Sequence, residues 1–223
     1  MTSAKETAAA EAAKLVKQEN PKTLGLGTGS TAEIFVNLIA AGGFGGSCLP
    51  TSERTAALAR ELGLKIASPA ELVSVDLAVD GADHIFRVGG KLVAIKGYGG
   101  ALLREKLVEY NAKKFVIMVD EGKLETKDYK VPVEIVPFSR EFVIGKLREL
   151  DLKGVVRETG GNECLTDNGN LIVDVEMKAG SEKSLPKLEK ELVLIPGVVE
   201  TGIFTKVDMV IVGKADGSSE QMA

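Results

Sequence analysis

Four short apolar runs constrain this chain more than any other feature. Residues 23–26, 75–79, 92–95 and 114–119 are apolar without strict alternation, and helical segments separate them. An alternating strand leaves one face wet, whereas a strand apolar throughout is covered on both. Covered strands that alternate with helices predict a parallel sheet, helices on both faces. Helices are read at 4–18, stopped by Asn20-Pro21, and at 32–40, 51–62 and 100–110. In the last, Leu102 and Leu107 are taken to define the buried side.

After residue 130 the rhythm changes. A strand at 131–136, a helix at 138–150, strand-like stretches at 155–157 and 164–166, and a turn at 167–170 precede a strand at 171–175. A helix at 184–192 and a strand at 198–204 complete a β-α-β-β-α-β order, the split ferredoxin-like arrangement. The apolar run 207–212 has no place there and is assigned back to the first domain. Residues 1–129 with 206–223 are thus predicted to form one domain, and 130–205 an inserted α+β domain. The end, 218–223, reads as a frayed tail.

Composition narrows the chemistry. Lys and Arg number 28 against 32 Asp and Glu, a net charge of −4. That balance argues against a nucleic-acid binder, which needs a concentrated basic face. One His cannot build a multi-His metal site. The two Cys, far apart in sequence, make neither a CxxC pair nor a disulfide framework. No run approaches the ~18 apolar residues of a membrane span. Lys5, Glu6, Glu11 and Lys14 make the N-terminus an amphipathic helix rather than a signal peptide. The expectation is a cytoplasmic protein whose proton chemistry uses a carboxylate or a Lys.

Three segments carry the candidate chemistry. Gly25-Leu-Gly27-Thr28-Gly29-Ser30-Thr31 lies between a strand and a helix. Backbone amides at the helix start and three hydroxyls suit an anion. Ser30 replaces the Gly of a dinucleotide fingerprint, which favours a monophosphate over a pyrophosphate. The same residues also suit a simple capping turn. Asp80-Gly81-Ala82-Asp83 follows the run 75–79, at the edge where open α/β sheets bind ligands. Two close carboxylates raise the pKa of at least one and can move protons between sugar hydroxyls. A helix-capping turn is the plainer alternative. Lys96-Gly97-Tyr98-Gly99-Gly100 follows another apolar run, and Glu105 comes a turn into the next helix. Partial burial would raise the Glu105 pKa towards that of a useful base, although Arg104-Glu105-Lys106 is also an ordinary charge run. Lys123, after a fourth run, could reach a phosphate. If all four follow parallel strands, all open on one crevice suited to a small phosphorylated sugar.

These residues resemble a known family. GLGTGSTA (25–32), DGAD (80–83), KGYGGALLREK (96–106), PVEIVP (132–137), TDNGN (166–170) and IPGVVETGIF (195–204) are similar, in order and spacing, to type A ribose-5-phosphate isomerase. The resemblance runs from about residue 10 to 213. It implies a Rossmann-like α/β domain with a small ferredoxin-like domain. It also implies interconversion of D-ribose 5-phosphate and D-ribulose 5-phosphate without metal or cofactor, in the non-oxidative pentose phosphate pathway, with no membrane partner.

Roles follow from the resemblance. Thr28, Gly29, Ser30 and Thr31 would contact the substrate, and Lys123 its phosphate. Asp80 would assist ring opening, with Gly81 and Ala82 lining the site. Glu105 would carry the proton between C2 and C1. Lys96, Asp83 and the amides of Gly97, Tyr98 and Gly99 would stabilise the enediolate. Two positions depart from the family pattern: His84 replaces a Glu, and Tyr98 replaces a Gly. Lys5 is a candidate for the family's N-terminal phosphate contact. A homodimer or homotetramer is implied. A sugar-phosphate sensor and an amino-sugar-phosphate deaminase are the alternatives; the deaminase would use His84, the sole His.

Overall fold

Ser3 opens the first helix: its hydroxyl accepts the Glu6 N–H while the Glu6 carboxylate accepts the Ser3 N–H, a capping box. In chain order α1 (Ala4–Glu19) leads to β1 (Thr23–Leu26), α2 (Ser30–Ala41), β2 (Ser47–Pro50), α3 (Glu53–Glu61), β3 (Lys65–Ile66) and β4 (Val75–Gly81). Next come β5 (His84–Val88), β6 (Lys91–Ile95), α4 (Leu102–Tyr110) and β7 (Ala112–Asp120). Then follow β8 (Tyr129–Ile135), α5 (Arg140–Glu149), β9 (Gly154–Val156), β10 (Glu158–Thr159) and β11 (Asn162–Glu163). The chain continues with β12 (Leu171–Met177), α6 (Leu185–Val193), β13 (Val198–Thr201), β14 (Ile203–Phe204), β15 (Met209–Gly213) and β16 (Ser219–Met222). The computed structural model describes residues 3–71, 74–125 and 127–223.

The chain divides into two units. The first comprises residues 1–82, 104–123 and 206–223. Its seven-stranded sheet has the order β16-β15-β7-β4-β1-β2-β3, parallel except for β16. Small residues let α1 lie close: Ala8, Ala9, Ala12 and Val16 share a core with Phe35, Val36 and Ile39 of α2 and with Leu24, Leu77, Val116 and Ile211 of the sheet. Each large side chain so buried contributes about 1.5–3 kcal/mol. Strand order reverses between β1 and β4, the point where such sheets bind ligands beyond the strands' carboxyl ends.

The second unit comprises residues 83–103 and 124–205. Its antiparallel sheet has the order β13-β8-β12-β9, and a smaller sheet the order β14-β6-β5. Helices α5 and α6 bring Val143, Leu147, Leu185, Leu188 and Leu192 to one core with Val131, Val133, Val173 and Val175.

Several sequence expectations need correction. Residues 92–95 do not join the parallel sheet; β6 pairs antiparallel with β5 and β14. Phe86, Val93 and Ile95 lie in the core of the second unit, so 83–103 belong there, as do 124–129. The tail is no frayed end, because a turn at Asp216-Gly217 folds it back as β16 beside β15. The run 198–204 breaks at Gly202, whose amide donates to Pro132 O while its carbonyl accepts the Lys96 N–H.

Candidate active site

The first unit forms a candidate anion cradle at the carboxyl ends of β1 and β4. Gly27 N–H donates to Val79 O at 3.0 Å, pulling the loop onto β4. A Cβ at Gly27 would stand 1.9 Å from the Asp80 carboxyl, so only glycine fits. Gly29, at φ +127, turns the chain into α2. The first-turn amides of α2, including those of Ser30 and Thr31, have no carbonyl partners inside the helix and favour an anion. Lys5 adds a cation there: its Nζ donates to Ser30 Oγ at 2.9 Å.

The Thr28 hydroxyl is engaged elsewhere. It lies 2.8 Å from Thr51 Oγ1, 2.8 Å from Ser52 Oγ and 3.2 Å from Thr55 Oγ1. Thr55 Oγ1 in turn donates to Gly27 O at 3.0 Å, and Ser52 caps α3. These three buried residues brace the loop, a role that a helix read at 51–62 does not by itself announce. The hydroxyl network leaves Thr28 its backbone, whose N–H donates to Asp80 Oδ1 at 2.9 Å.

Asp80 closes β4 and is fully buried. Its Oδ1 also accepts the Gly81 N–H at 2.6 Å. Two amides on one oxygen fix the carboxylate in place. A Cβ at Gly81 would make only ordinary contacts, 3.8 Å from Met118 O and 4.0 Å from Thr31 Cβ. Ala82 follows at the unit's boundary. Lys123 is half-buried in the 3₁₀ turn that follows β7, the neighbour of β4.

Glu105 is 2% exposed on α4, and Glu109, one turn on, is 1% exposed. Val108 of the same helix packs where β1 comes closest, since a Cβ at Gly25 would stand 2.7 Å from its Cγ1. The predicted helix face was misplaced, because Leu107 is 56% exposed. Position 107 lies about 200° around the helix from 105, so burying the carboxylates exposes the leucine. Arg104 is tied to Glu53 at 2.8 Å.

The second unit carries the remaining candidates. Asp83 N–H donates to Ile95 O at 2.8 Å and Lys96 N–H to Gly202 O at 2.9 Å, placing both at the end of the β5–β6 pair. Lys96 is 2% exposed, and its Nζ lies 5.4 Å from the centre of the Phe204 ring. Gly97, at φ +98, has Leu102 against it, where a Cβ would approach to 2.8 Å. Asp83 Oδ2 accepts the Tyr98 N–H at 3.0 Å. Tyr98 turns its hydroxyl to the backbone of Lys130, accepting its N–H at 2.9 Å and donating to its carbonyl at 3.3 Å. Burial raises the Tyr98 phenol above its ordinary pKa. Gly99 is exposed at the tip of the loop. His84 is buried on β5, stacked on Phe86 and edge-on to Tyr98.

The family model of ribose 5-phosphate isomerase A (phosphoriboisomerase A) matches residues 47–217. Ribose-5-phosphate isomerase A of Rhizobium meliloti is 45% identical over 222 residues, 94% of each chain. That of Methanocaldococcus jannaschii is 42% identical, covering 94% of this chain and 93% of its own. A solved structure of the M. jannaschii enzyme superposes with a TM-score of 0.88 at 39% identity, covering 98% of this chain and 97% of that one. The chain belongs to the ribose 5-phosphate isomerase A family.

Proposed function

We propose that this chain interconverts D-ribose 5-phosphate and D-ribulose 5-phosphate without a metal. The observation that carries the reading, in a chain of this family, is the junction at the β1/β4 switch point. There an amide-rich helix start and the buried Asp80 carboxylate are linked through Thr28. A phosphate needs the first, and a sugar hydroxyl the second. One solved D-ribose-5-phosphate isomerase, 36% identical to this chain, was determined in complex with phospho-erythronic acid. Its carboxylate is a planar anion with two oxygens, as an enediolate is.

In the proposed mechanism the α2 amides of Ser30 and Thr31, with Gly29, Lys5 and Lys123, hold the phosphate. Asp80 takes the C1 hydroxyl proton as the C1–O4 bond of the furanose breaks, and passes a proton to O4, leaving the open-chain aldehyde and a free carboxylate. Glu105 then takes the C2 proton, and the C–H electron pair becomes the C1=C2 bond. Negative charge moves to the carbonyl oxygen, where Lys96 and the amides of the 97–99 loop stabilise it. Asp83 holds that loop and bonds the substrate's hydroxyls. Glu105 returns the proton to C1, the O2 proton passes to O1, and the ketose forms. A buried carboxylate suits a base that must be protonated and deprotonated in each turnover. The deaminase reading has no support, since His84 is enclosed by aromatic rings.

We also infer a cytoplasmic homodimer or homotetramer. The free thiols of Cys48 and Cys164 suit a reducing compartment. On the second unit Phe138, Phe142 and Leu194 are 90%, 70% and 80% exposed, apolar surface that a second copy would cover. The test of function is turnover of ribose 5-phosphate in EDTA by wild type and by Glu105→Gln. Wild type is expected to be active and the variant at least ~10²-fold slower in kcat, the scale of a lost general base. Near-normal kcat in Glu105→Gln would remove Glu105 from this role. Loss of wild-type activity in EDTA would remove the metal-free mechanism.

A further inference from the structure

Arg157, which sequence reading did not single out, stands directly after β9. Its backbone N–H donates to Ile172 O at 2.8 Å, and β9 pairs with β12, the strand of Asp174. Its guanidinium is divided between two tasks. Nε donates to Asp174 Oδ2 at 3.0 Å and Nη2 to Asp174 Oδ1, a two-pronged ion pair. Nη1 donates to Gly97 O at 2.9 Å and to Tyr98 O at 3.0 Å. The two side chains are 15% and 11% exposed. All of these residues lie in the second unit.

The consequence follows from peptide geometry. In a trans peptide C=O and N–H point in opposite directions. Holding Gly97 O towards the guanidinium therefore sends the Tyr98 N–H the other way, where Asp83 Oδ2 receives it. Holding Tyr98 O sends the Gly99 N–H the other way too. Gly97 O also accepts the Gly100 N–H at 3.0 Å, closing a turn over 97–100. Glycine at 97, 99 and 100 leaves this loop little stiffness of its own, so its amide directions must be imposed from outside. Arg157 imposes them with two N–H groups on adjacent carbonyls, a task for a planar fork that a single ammonium cannot share out in the same way. Asp174 cancels the Arg157 charge, which leaves geometry as the contribution.

We propose that Arg157, oriented by Asp174, is a positioning residue for the isomerase reaction: it fixes the peptide planes of the Lys96–Gly-Tyr-Gly loop and so aims the Gly99 amide at the developing enediolate. The proposal rests on the functional reading above. Donors set in place before charge develops are worth more than donors that must reorganise, so the loss of Arg157 acts on kcat rather than on substrate capture.

The test compares wild type, Arg157→Ala, Arg157→Lys and Asp174→Asn on ribose 5-phosphate, with folding checked by circular dichroism. In Arg157→Ala kcat is expected to fall about 10- to 100-fold with KM within about threefold, less than or equal to the loss of an oxyanion donor. Guanidinium ion at millimolar concentration should restore kcat in Arg157→Ala and leave Glu105→Gln unrescued; a merely structural role would give no such rescue. Arg157→Lys should stay folded and slow. A folded Arg157→Ala with wild-type kcat, or with a loss confined to KM, overturns the proposal. Should Arg157→Ala fail to fold, Asp174→Asn decides: lower kcat at unchanged KM supports the proposal, and unchanged kcat overturns it. If wild type itself does not turn over ribose 5-phosphate, the functional reading fails and the proposal falls with it.

Discussion

Thr28 and Asp80 are joined by one hydrogen bond, N–H to Oδ1 at 2.9 Å, and it ties the anion cradle to the carboxylate. The loop cannot shift without moving Asp80, nor Asp80 without the loop. Gly27 is where this coupling is tightest. In Gly27→Ala the methyl group would collide with the Asp80 carboxyl, 1.9 Å away, and one of the two must yield. We expect a loss of about 1–3 kcal/mol in unfolding free energy, as for other overpacked sites. Catalysis should suffer more, with kcat/KM down about 10²-fold, because misplacement of about 1 Å is enough for that. Denaturant melts and steady-state kinetics on the same sample check both.

His84 should matter to stability and little to turnover. Its ring centre lies 5.9 Å from Phe86, 6.1 Å from Tyr98 and 5.6 Å from Tyr129. His84→Gln is expected to cost about 1 kcal/mol, the scale of an aromatic pair, while kcat stays within about twofold. A kcat loss beyond tenfold at intact folding would contradict this.

The fold was legible where local pattern and long-range pairing agree. The loop between β1 and α2 and the Asp80 turn lie where the pattern places them, because strand ends and helix starts mark themselves with Gly, Asp and hydroxyl residues. Residues 92–95 were misread because an apolar run looks the same in a covered parallel strand and in a buried antiparallel one. The last strand was missed because Ser219–Met222 is polar and its pairing is set by a turn, not by alternation. Arg157 left no local signal, since both carbonyls it holds are about sixty residues away in sequence. Lys5 was legible only as a candidate for a related reason: the hydroxyl it meets, on Ser30, comes 25 residues later.

Asp76 gives a pH signature. Its carboxylate accepts the Lys22 and Thr23 amides at 2.9 and 3.1 Å and pairs with Lys113 at 2.7 Å. Lys113 foremost, with the two amides, holds its pKa down at about 2, below the ordinary 3.8. A depressed carboxylate stabilises the fold above its ordinary value, and that stabilisation is lost as pH falls through the lower one. Asp76→Asn should therefore cost about 1 kcal/mol at neutral pH, a value discounted for solvent screening. The gap between wild type and variant should close between about pH 4 and pH 2. Thermal melts across that range measure it, and a gap independent of pH would refute it.

The two thiols should react at different rates. Burial on β2 pushes the Cys48 thiol up to about 12, whereas Cys164 is partly exposed. The thiolate is the reactive form. At pH 8 the native protein should consume one equivalent of a disulfide reagent quickly and the second only after unfolding. Two fast equivalents in the native state would contradict the burial of Cys48.

The strand β15, placed beside β7, has a consequence for synthesis. On the ribosome β7 is complete by residue 120, but its partner is not made until residue 213. At about 5–20 residues per second, that edge of the nascent sheet waits roughly 5 to 20 seconds, with the entire second-unit segment 124–205 emerging in between. Through that interval the Phe115 amide also lacks Asp208, whose carboxylate receives it at 2.8 Å in the finished protein. The first unit is thus the one that begins first and closes last, and its unpaired β7 edge is where a stalled or truncated chain would be most open to aggregation.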